Sequence, residues 1–354
     1  DERMCVVLIM LDLSAAFDTV SHSVLLRRLE EDFGVRGNAL LWMESYFSGR
    51  TQAVNIGGTL SDPRPLDNGM PQGSRIGPNE FPPYTSPVFA IAESHDVCIH
   101  MYADDTQLYL PFRVDDFAAA KARIESCIAD IRKWLSENHL KLNDEKTEYL
   151  LIGKKHLLSR IEGDKSIRIG SSIIDLSSCA KNIGAMIDSQ LEMKTHVNYI
   201  SRASYMHMRN ISHIRNNISD DTAATLTHAF ISSKLDNMNS LLVGIPECVL
   251  KRLQLIQNNA ARLVARKKKR DHITPVMKQL HWLPIRLRIK YKICLMTYKA
   301  LEGTAPTYIS SLLTRYEPPR ALRSASTCLL RPKPHNLKNT GGRAFAVVAP
   351  QMWN

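Results

Sequence analysis

The chain has 354 residues, of which 44% are hydrophobic, and it carries a formal net charge of +11. This length suits two or three domains with sizeable cores, and the apolar fraction is ordinary for a soluble globular protein. No apolar run is long enough to cross a membrane and Asp1–Cys5 does not resemble a secretory signal, so membrane-spanning and secreted classes are disfavoured.

The charge is unevenly distributed along the chain. Residues 1–110 hold 7 Lys and Arg against 15 Asp and Glu, whereas the remainder holds 39 against 20. This division favours cation binding early in the chain and a polyanion held by the later part, although an ordinary basic surface also fits it. The seven cysteines include no CxxC pair, which favours reduced thiols in the nucleus or cytoplasm over a disulfide framework or a zinc site.

The first predicted element is a buried strand. Cys5–Leu11 is almost wholly apolar, a pattern typical of a strand covered on both faces, and it leads directly to Asp12. A carboxylate is costly there unless it lies at the mouth of the strand or binds a cation. Ser21 then predicts the N-cap of a helix that ends at Gly34, and a second short helix is expected over Ala39–Phe47.

A strand pair predicted over Thr51–Leu66 is followed by a loop rich in glycine and proline. Residues 68–78 contain three glycines and two prolines, so backbone shape dominates this loop and a ligand can approach it closely. We expect a helix to follow and pack under the sheet. Pro82, Pro83 and Pro87 interrupt that stretch, however, and a proline inside a helix costs about 3 kcal/mol or more.

Met101–Tyr109 places two adjacent acids, Asp104 and Asp105, between apolar and β-favouring residues. The pattern predicts a hairpin with an acidic tip. Neighbouring carboxylates repel each other, and a hard divalent cation bound through oxygen would offset that repulsion. These nine residues alone fit an ordinary solvated turn at least as well, so the metal interpretation depends on the other acids.

A long helix and several strands complete this part of the chain. Asp115 is expected to cap the helix, whose apolar residues recur at three- and four-residue steps through Leu135. Further strands are predicted at Tyr149–Ile152, Ser166–Ile169, Ile173–Leu176 and Asn182–Ile187.

From Leu191 onward the sequence becomes helical and basic. Helices are predicted after Leu191, after the N-cap Ser219 and after Pro246. Beyond Glu317 the composition is rich in proline and arginine, and we expect a loosely ordered tail.

Twelve Lys and Arg but a single acid lie between Ala260 and Ala300. A dense block within this stretch consists of Arg266, Lys267, Lys268, Lys269 and Arg270. Such a stretch suits phosphate contacts, with Trp282, Tyr291 and Tyr298 available to stack on bases. The alternative, which the residues leave open, is that these aromatics are core and the block is a solvated face.

Two-metal phosphoryl transfer requires three features that this sequence contains. They are the acid after a buried strand, the glycine-rich loop and the acid pair in a hairpin. In that chemistry, carboxylates from separate segments hold two cations, which bind the attacking and leaving oxygens and neutralise the developing charge. Asp12, Asp104 and Asp105 are therefore the candidate catalytic residues and metal ligands.

Several of these segments resemble the motifs of reverse transcriptases, most of all those of non-LTR (LINE-type) retrotransposons of the jockey and CR1 kind. Leu11–Asp18, Gly69–Ser74 and Tyr102–Asp105 resemble the three central motifs, and two later segments resemble the next two palm motifs. The resemblance extends to the C-terminal end and covers nearly the whole chain. The later segments are His139–Thr147, Asn182–Asp188, Ile256–Arg262, Leu280–Pro284 and Pro350–Asn354.

The resemblance implies an α+β fold and a polymerase activity. Residues 1–190 would form the palm, an antiparallel sheet with packed helices. Residues 191–316 would form a helical, basic thumb and connection region, and residues 317–354 the Pro/Arg-rich tail. The implied activity is RNA-directed DNA synthesis with two Mg²⁺ ions (or Mn²⁺), an RNA template, a DNA primer and dNTP as partners, and no membrane.

Site roles carry over from the resemblance residue by residue. Phe17 would lie under the deoxyribose, where its ring would clash with a ribose 2′-OH. Gln72 would touch the incoming nucleotide, and Gly73 would allow close backbone approach. Lys146 would lie near the triphosphate, and Gly184 would belong to the hairpin that grips the primer. Core packing is the alternative for Phe17, and an exposed strand-end lysine is the alternative for Lys146.

Two features depart from the family. Only eleven residues precede Asp12, so the fingers region is missing from this sequence. In addition, Asn79–Pro83 replaces an apolar helical stretch, and Arg75 stands where the family has an apolar residue.

We interpret the chain as a piece of a retrotransposon protein truncated at both ends, and expect weak or no polymerisation. The alternative is a catalytically dead remnant that only binds nucleic acid through residues 260–300.

Overall fold

The computed structural model describes residues 4–71, 73–317, 329–335 and 341–354. The chain divides into two compact units, the first ending at Ala180 and the second beginning at Lys181. Among the described residues, none of the helices combines the length and hydrophobicity needed to span a bilayer.

The first unit is built on a four-stranded antiparallel sheet with the strand order β6-β7-β1-β8. Its elements, in chain order, are β1 (Met4–Ser14), α1 (His22–Glu31), α2 (Asn38–Phe47), β2 (Thr51–Gln52), β3 (Asn55–Ile56), β4 (Thr59–Leu60), β5 (Arg64–Pro65), α3 (Gly77–Thr85), α4 (Pro87–Ser94), β6 (Cys98–Tyr102), β7 (Asp105–Arg113), α5 (Phe117–Glu137), β8 (Lys141–Ile152), α6 (Lys155–Leu158), β9 (Ile167–Ile169) and β10 (Ser172–Ile174).

Strand β1 is central in the sheet and buried on both faces, as its apolar run predicts. Val7 and Ile9 join the main core, to which α1, α3, α4 and α5 also contribute. Leu8 and Met10 point to the opposite face, where they pack with Leu150. The alternation follows from the two-residue period of a strand. An acid that follows such a strand therefore emerges at its end, with neighbouring strands on both sides.

The helix expected under the sheet forms despite its prolines. Pro82 and Pro83 lie inside α3, whereas Pro87 opens α4 at a position where proline is well tolerated. Phe81 and Tyr84 are fully buried, and each such side chain contributes about 1.5–3 kcal/mol. Our expectation of an interruption was thus wrong for α3, because burial of its aromatics offsets the two lost backbone hydrogen bonds. Arg75 is exposed, so it does not disturb the packing.

Burial of the Glu80 carboxyl in α3 has a free-energy cost that can be measured. Its Oε2 is buried without a hydrogen-bond partner among the described residues, and burial raises the pKa of its carboxyl. The folded chain therefore holds this proton more tightly than the unfolded chain. The stability so gained is present below the unfolded-state pKa and is lost as pH rises through the folded-state pKa.

We expect Glu80→Gln to raise the free energy of unfolding at neutral pH by about 1 kcal/mol. The gain should shrink towards about pH 3, where glutamate is protonated in both states. Urea denaturation across this pH range measures it, with exposed Glu93→Gln on α4 as the matched control. A gain that is equal at both ends of the range would contradict the explanation.

Four other elements differ in detail from their sequence-based predictions. The single strand predicted over Asn182–Ile187 is interrupted by a turn at Ile183 and Gly184. The Thr51–Leu66 segment forms two separate two-residue pairs, β2 with β5 and β3 with β4, rather than one strand pair. The helix expected after an Asp115 cap begins at Phe117, and no side-chain cap closes it. Strand β8 begins at Lys141, well before Tyr149, because residues 141–143 also pair with β1.

The second unit is mainly helical. In chain order, the described residues from 179 onward form a hairpin and eight α-helices: β11 (Cys179–Asn182), β12 (Ala185–Asp188), α7 (Lys194–Ile214), α8 (Asp220–Thr227), α9 (Ser233–Asp236), α10 (Glu247–Val264), α11 (Ile273–Gln279), α12 (Ile285–Leu301), α13 (Thr307–Ser310) and α14 (Phe345–Trp353). The predicted N-cap is confirmed, since Ser219 Oγ accepts a hydrogen bond from the Thr222 backbone N–H at 3.1 Å.

The C-terminal segment is more ordered than predicted. Helix α14 buries Val347, Val348 and Ala349, and the latter two pack into the core of the second unit. Arg343, just before the helix, donates to the carbonyls of Leu191 and Leu241, at 2.7 and 2.8 Å. The expectation of a loosely ordered tail is therefore wrong for residues 341–354, because their apolar side chains complete a core.

Candidate active site

Asp12 lies near the end of β1, between two partner strands. A shift in register between Met10 and Asp12 brings Asp12 opposite Asn143 of β8. On the other side, Leu11 pairs with Thr106 of β7. The register therefore places Asp12 beside the start of β7, where the acidic hairpin begins.

The acidic hairpin is confirmed. Strands β6 and β7 pair Tyr102 with Asp105, so Ala103 and Asp104 form the tight turn between them. Ala103 adopts a positive φ of 53°, a conformation that L-residues rarely occupy outside tight turns. Asp104 is half-buried at the tip and Asp105 is exposed.

The three aspartates influence one another electrostatically. The pKa of Asp105 is raised, first by partial removal of water around its carboxyl and then by the negative charges of Asp104 and Asp12. Like charges raise a carboxyl pKa only when they lie near one another. Strand register places the three acids, which are distant in sequence, at the same end of the sheet.

Asp12 also has polar neighbours on β8. Lys146 Nζ lies 3.5 Å from Asp12 Oδ2, and Asn143 Nδ2 donates to the same oxygen at 3.3 Å. The Lys146 side chain is 69% exposed, so this ion pair is weak. Asn143 was not singled out in the sequence, because its position opposite Asp12 depends on the register shift in the middle of β1.

The glycine-rich loop is held against the turn that follows β1. Gly69 N–H donates to the Val20 carbonyl and Met70 N–H to the Phe17 carbonyl, each at 2.7 Å. His22 Nε2 lies 2.7 Å from the Gly69 carbonyl. Backbone contacts and a buried imidazole therefore fix the start of this loop next to the Asp12 strand.

Gly69 is required for this close approach. Its φ is +92°, and a Cβ built there would lie 2.9 Å from the Asp18 carbonyl oxygen. We expect Gly69→Ala to lower the free energy of unfolding by about 2–3 kcal/mol, since strain and a backbone clash add. Gly73→Ala is the control, because Gly73 also has a positive φ but a Cβ there meets no atom within 4 Å. Equal losses in urea denaturation would show that crowding is irrelevant.

Phe17 combines packing with access to the site. It lies in a short 3₁₀ turn, Ala16–Asp18, directly after β1, and its ring packs 4.9 Å from that of Phe81. The side chain is only partly buried, so one part supports α3 and another remains accessible. Gln72 lies outside the described residues.

The comparison with known proteins decides the family. A reverse transcriptase (RNA-dependent DNA polymerase) family model matches residues 1–201, more than half of the chain. The chain belongs to the reverse transcriptase family.

Curated relatives of this reverse transcriptase come from mobile elements. A probable RNA-directed DNA polymerase from transposon BS of Drosophila melanogaster is 26% identical over 266 residues, 72% of this chain and 28% of the relative. The RNA-directed DNA polymerase from the jockey mobile element of the same species is 26% identical over 199 residues, 54% of this chain and 21% of the relative. The chain thus spans about a quarter of the length of these relatives, which are non-LTR, LINE-type elements.

Among solved structures, this reverse transcriptase is distantly similar to telomerase from Candida albicans in complex with a fragment of telomeric RNA. The TM-score is 0.35 at 14% identity, over 87% of this chain and 48% of that chain.

Reverse transcriptases use divalent metal ions, and the three aspartates of this site offer the kind of donor atom that such ions bind. Asp12, Asp104 and Asp105 all offer carboxylate oxygen, the donor that hard cations prefer. In the part of the chain that the structure describes, no three His, Cys, Asp or Glu side chains converge closely enough to hold a metal. Asp12 is engaged by Lys146 and Asn143 instead.

Gly184 lies in the second unit of the reverse transcriptase, in the turn of the β11–β12 hairpin. Ile183 and Gly184 both have positive φ values, 43° and 85°, as a tight hairpin turn requires. A Cβ at Gly184 would lie 2.9 Å from Asn237 Nδ2. The predicted hairpin is present. Its turn needs glycine both for the positive φ and for the close approach of Asn237.

The basic block follows α10 and is exposed throughout, from Arg266 to Arg270. Arg266 is partly structural, since its Nη2 donates to the carbonyls of Arg215 and Ile218 at 3.2 Å each. Of the nearby aromatics, Trp282 is buried against His228. For this residue the alternative of a core aromatic is therefore correct. Tyr291 and Tyr298 are exposed.

Proposed function

We propose that this chain carries the palm of an RNA-directed DNA polymerase that adds dNTPs to a primer 3′-OH on an RNA template. The observation that supports it best is the strand register that brings Asp12 to the same end of the sheet as Asp104 and Asp105. Partial removal of water, and then the charges of Asp104 and Asp12, raise the pKa of Asp105. Such mutual repulsion among acids at a strand end is what a bound cation would relieve.

In this proposal the carboxylates of Asp12, Asp104 and Asp105 would hold two Mg²⁺ ions. Magnesium bound there supplies charge neutralisation for nucleotidyl transfer. Lys146, adjacent to Asp12, would leave that carboxylate and pair with the triphosphate. Phe17 would lie under the deoxyribose, and its fixed ring would disfavour a 2′-OH. Gly73, with open space where a Cβ would be, would let the loop backbone approach the nucleotide.

The test is primer extension by the purified chain on an RNA template with an annealed DNA primer, dNTPs and Mg²⁺. We expect weak incorporation that EDTA removes and that Asp12→Asn lowers to background. Asp62→Asn, the same change at an exposed loop position, should behave like the wild type. Incorporation that survives Asp12→Asn would sink the proposal.

A second candidate is nucleic-acid binding without catalysis. The engagement of Asp12 Oδ2 by Lys146 and Asn143 favours it, because that carboxylate is satisfied without a metal. It predicts salt-sensitive binding of nucleic acid that Asp12→Asn leaves unchanged, with no incorporation under any metal condition. Extension of the primer above background would exclude it.

A further inference from the structure

A cavity of about 260 Å³ lies wholly within the second unit. Its wall includes Asp236 at the end of α9, Asn239, His281 before α12, and Arg288 and Tyr291 on α12. The volume is below that of pockets for drug-sized ligands, about 300–1,000 Å³. It can admit one small planar group with a substituent, but not a duplex.

One wall of the cavity is a pre-organised cation. Arg288 Nη1 donates to Asp236 Oδ2 at 2.6 Å, and its Nε donates to the Leu283 carbonyl at 2.8 Å. The Arg288 side chain is largely buried. Two partners therefore hold the guanidinium in one orientation, so a ligand that meets it loses little side-chain entropy.

Asn239 supplies an acceptor that lacks a donor. The residue is 2% exposed, and its Oδ1 is buried with no hydrogen-bond partner among the described residues. A buried acceptor left unpaired is costly. A ligand that brings an N–H group to Asn239 would remove that cost, and amide acceptors of this kind read the amino groups of bases.

The rim of the cavity is aromatic and basic. Tyr291 is 58% exposed, and Lys292 follows it at the cavity wall. Arg288 also lines the cavity. An accessible aromatic ring beside several cations is the combination by which proteins bind single-stranded nucleic acids, through base stacking and phosphate contacts.

We infer that this cavity receives one unstacked nucleotide of a single-stranded nucleic acid. The base stacks on Tyr291, and its amino group donates to Asn239. The phosphate lies near Lys292 and His281. Adenine, cytosine and guanine carry such an exocyclic amino group, whereas uracil does not, so the pocket discriminates against uracil. This site belongs to the second unit and is separate from the Asp12 site.

The test is the binding of a 12-nucleotide single-stranded DNA, labelled at one end, to the full chain by fluorescence anisotropy. EDTA is present and dNTP is absent, so the outcome is independent of the polymerase proposal. We expect Tyr291→Leu to weaken binding about 5- to 150-fold, the range for loss of one stacked base. Tyr298→Leu is the matched control, since Tyr298 is on the same helix, is 51% exposed, and does not line the cavity.

Competition identifies the ligand chemistry. AMP and CMP should displace the oligonucleotide at lower concentrations than UMP, and inorganic phosphate should displace it least. Lys292→Gln should weaken binding more than Lys290→Gln, its exposed neighbour outside the cavity. Equal effects of the two tyrosine variants would overturn the inference. Displacement by phosphate as effective as that by AMP would also overturn the inference, because the cavity would then be an anion site. Equal displacement by UMP and AMP would overturn it as well.

Discussion

Asp104→Asn should lower the magnesium-dependent nucleotide addition proposed for this chain to background, while making the metal-free chain more stable. The two effects have one cause. Asp104 sits at the hairpin tip, and its charge contributes to the raised pKa of Asp105. Removing that charge relieves repulsion in the absence of metal, but it also removes an oxygen ligand from the proposed ion pair.

The pH dependence of stability gives this prediction a second measurement. Because the folded-state pKa of Asp105 is raised, its contribution to stability is present below the unfolded-state pKa and is lost as pH rises through the folded-state value. Asp104→Asn should reduce that loss, so the gain over the wild type should be larger at neutral pH than in acid. Added Mg²⁺ should stabilise the wild type more than the variant.

Primer extension and urea denaturation, with and without Mg²⁺, measure the two effects. Asp62→Asn serves again as the control for loss of one negative charge. A variant that extends primers at the wild-type rate would show that Asp104 is not a metal ligand. A variant that loses activity but also loses stability would point to damage of the hairpin instead.

Arg28→Met should lower the free energy of unfolding by about 3 kcal/mol. Arg28 of α1 is buried, and its guanidinium connects three helices. It donates to the Tyr84 carbonyl of α3 and, at 2.6 Å, to Asn138 Oδ1 after α5. It also lies 5.2 Å and 5.0 Å from the ring centroids of Tyr84 and Trp134.

Methionine fills much of the same volume but cannot donate. The buried Tyr84 carbonyl and the partly buried Asn138 Oδ1 would lose their donor, and the cation–π contacts with the two rings would vanish. Arg28→Lys should give an intermediate loss, because an ammonium cannot reach both acceptors with the forked geometry of a guanidinium. The adjacent Arg27→Met, at an exposed position of the same helix, should cost less than about 0.5 kcal/mol.

Urea denaturation of the three variants decides the matter. A midpoint for Arg28→Met equal to that of Arg27→Met would mean that the three-helix contact contributes nothing. A changed slope with denaturant would instead indicate altered compactness of the folded or unfolded chain.

Periodicity and turn chemistry sufficed to predict β1, the acidic hairpin, α2 and the Ser219 cap, because their signals lie within a few neighbouring residues. Helix α3 was predicted poorly, because proline penalties are local whereas the burial of Phe81 and Tyr84 that offsets them is tertiary. The C-terminal helix was missed for the same reason, since only the core of the second unit shows where Val348 and Ala349 pack.

The candidate site was predictable as a set of residues, but not as a set of contacts. Alternation placed Asp12 at a strand end and two acids at a hairpin tip. The pairing of Asp12 with Asn143 follows from a register shift in β1, which side-chain pattern does not encode. The contact of His22 with the Gly69 carbonyl could have been suspected only from the proximity of His22 to the first motif.

The contacts of Arg343 bear on how the protein is made. Arg343 binds the carbonyls of Leu191 and Leu241, and the residues just after it fill the helical core. On the ribosome, residues 181–340 therefore emerge before the side chains that close their core exist. The core of this half cannot be completed, and part of its apolar surface stays exposed, until translation has passed Trp353. The sheet-bearing half can fold earlier, so chaperone dependence should concentrate in the later half.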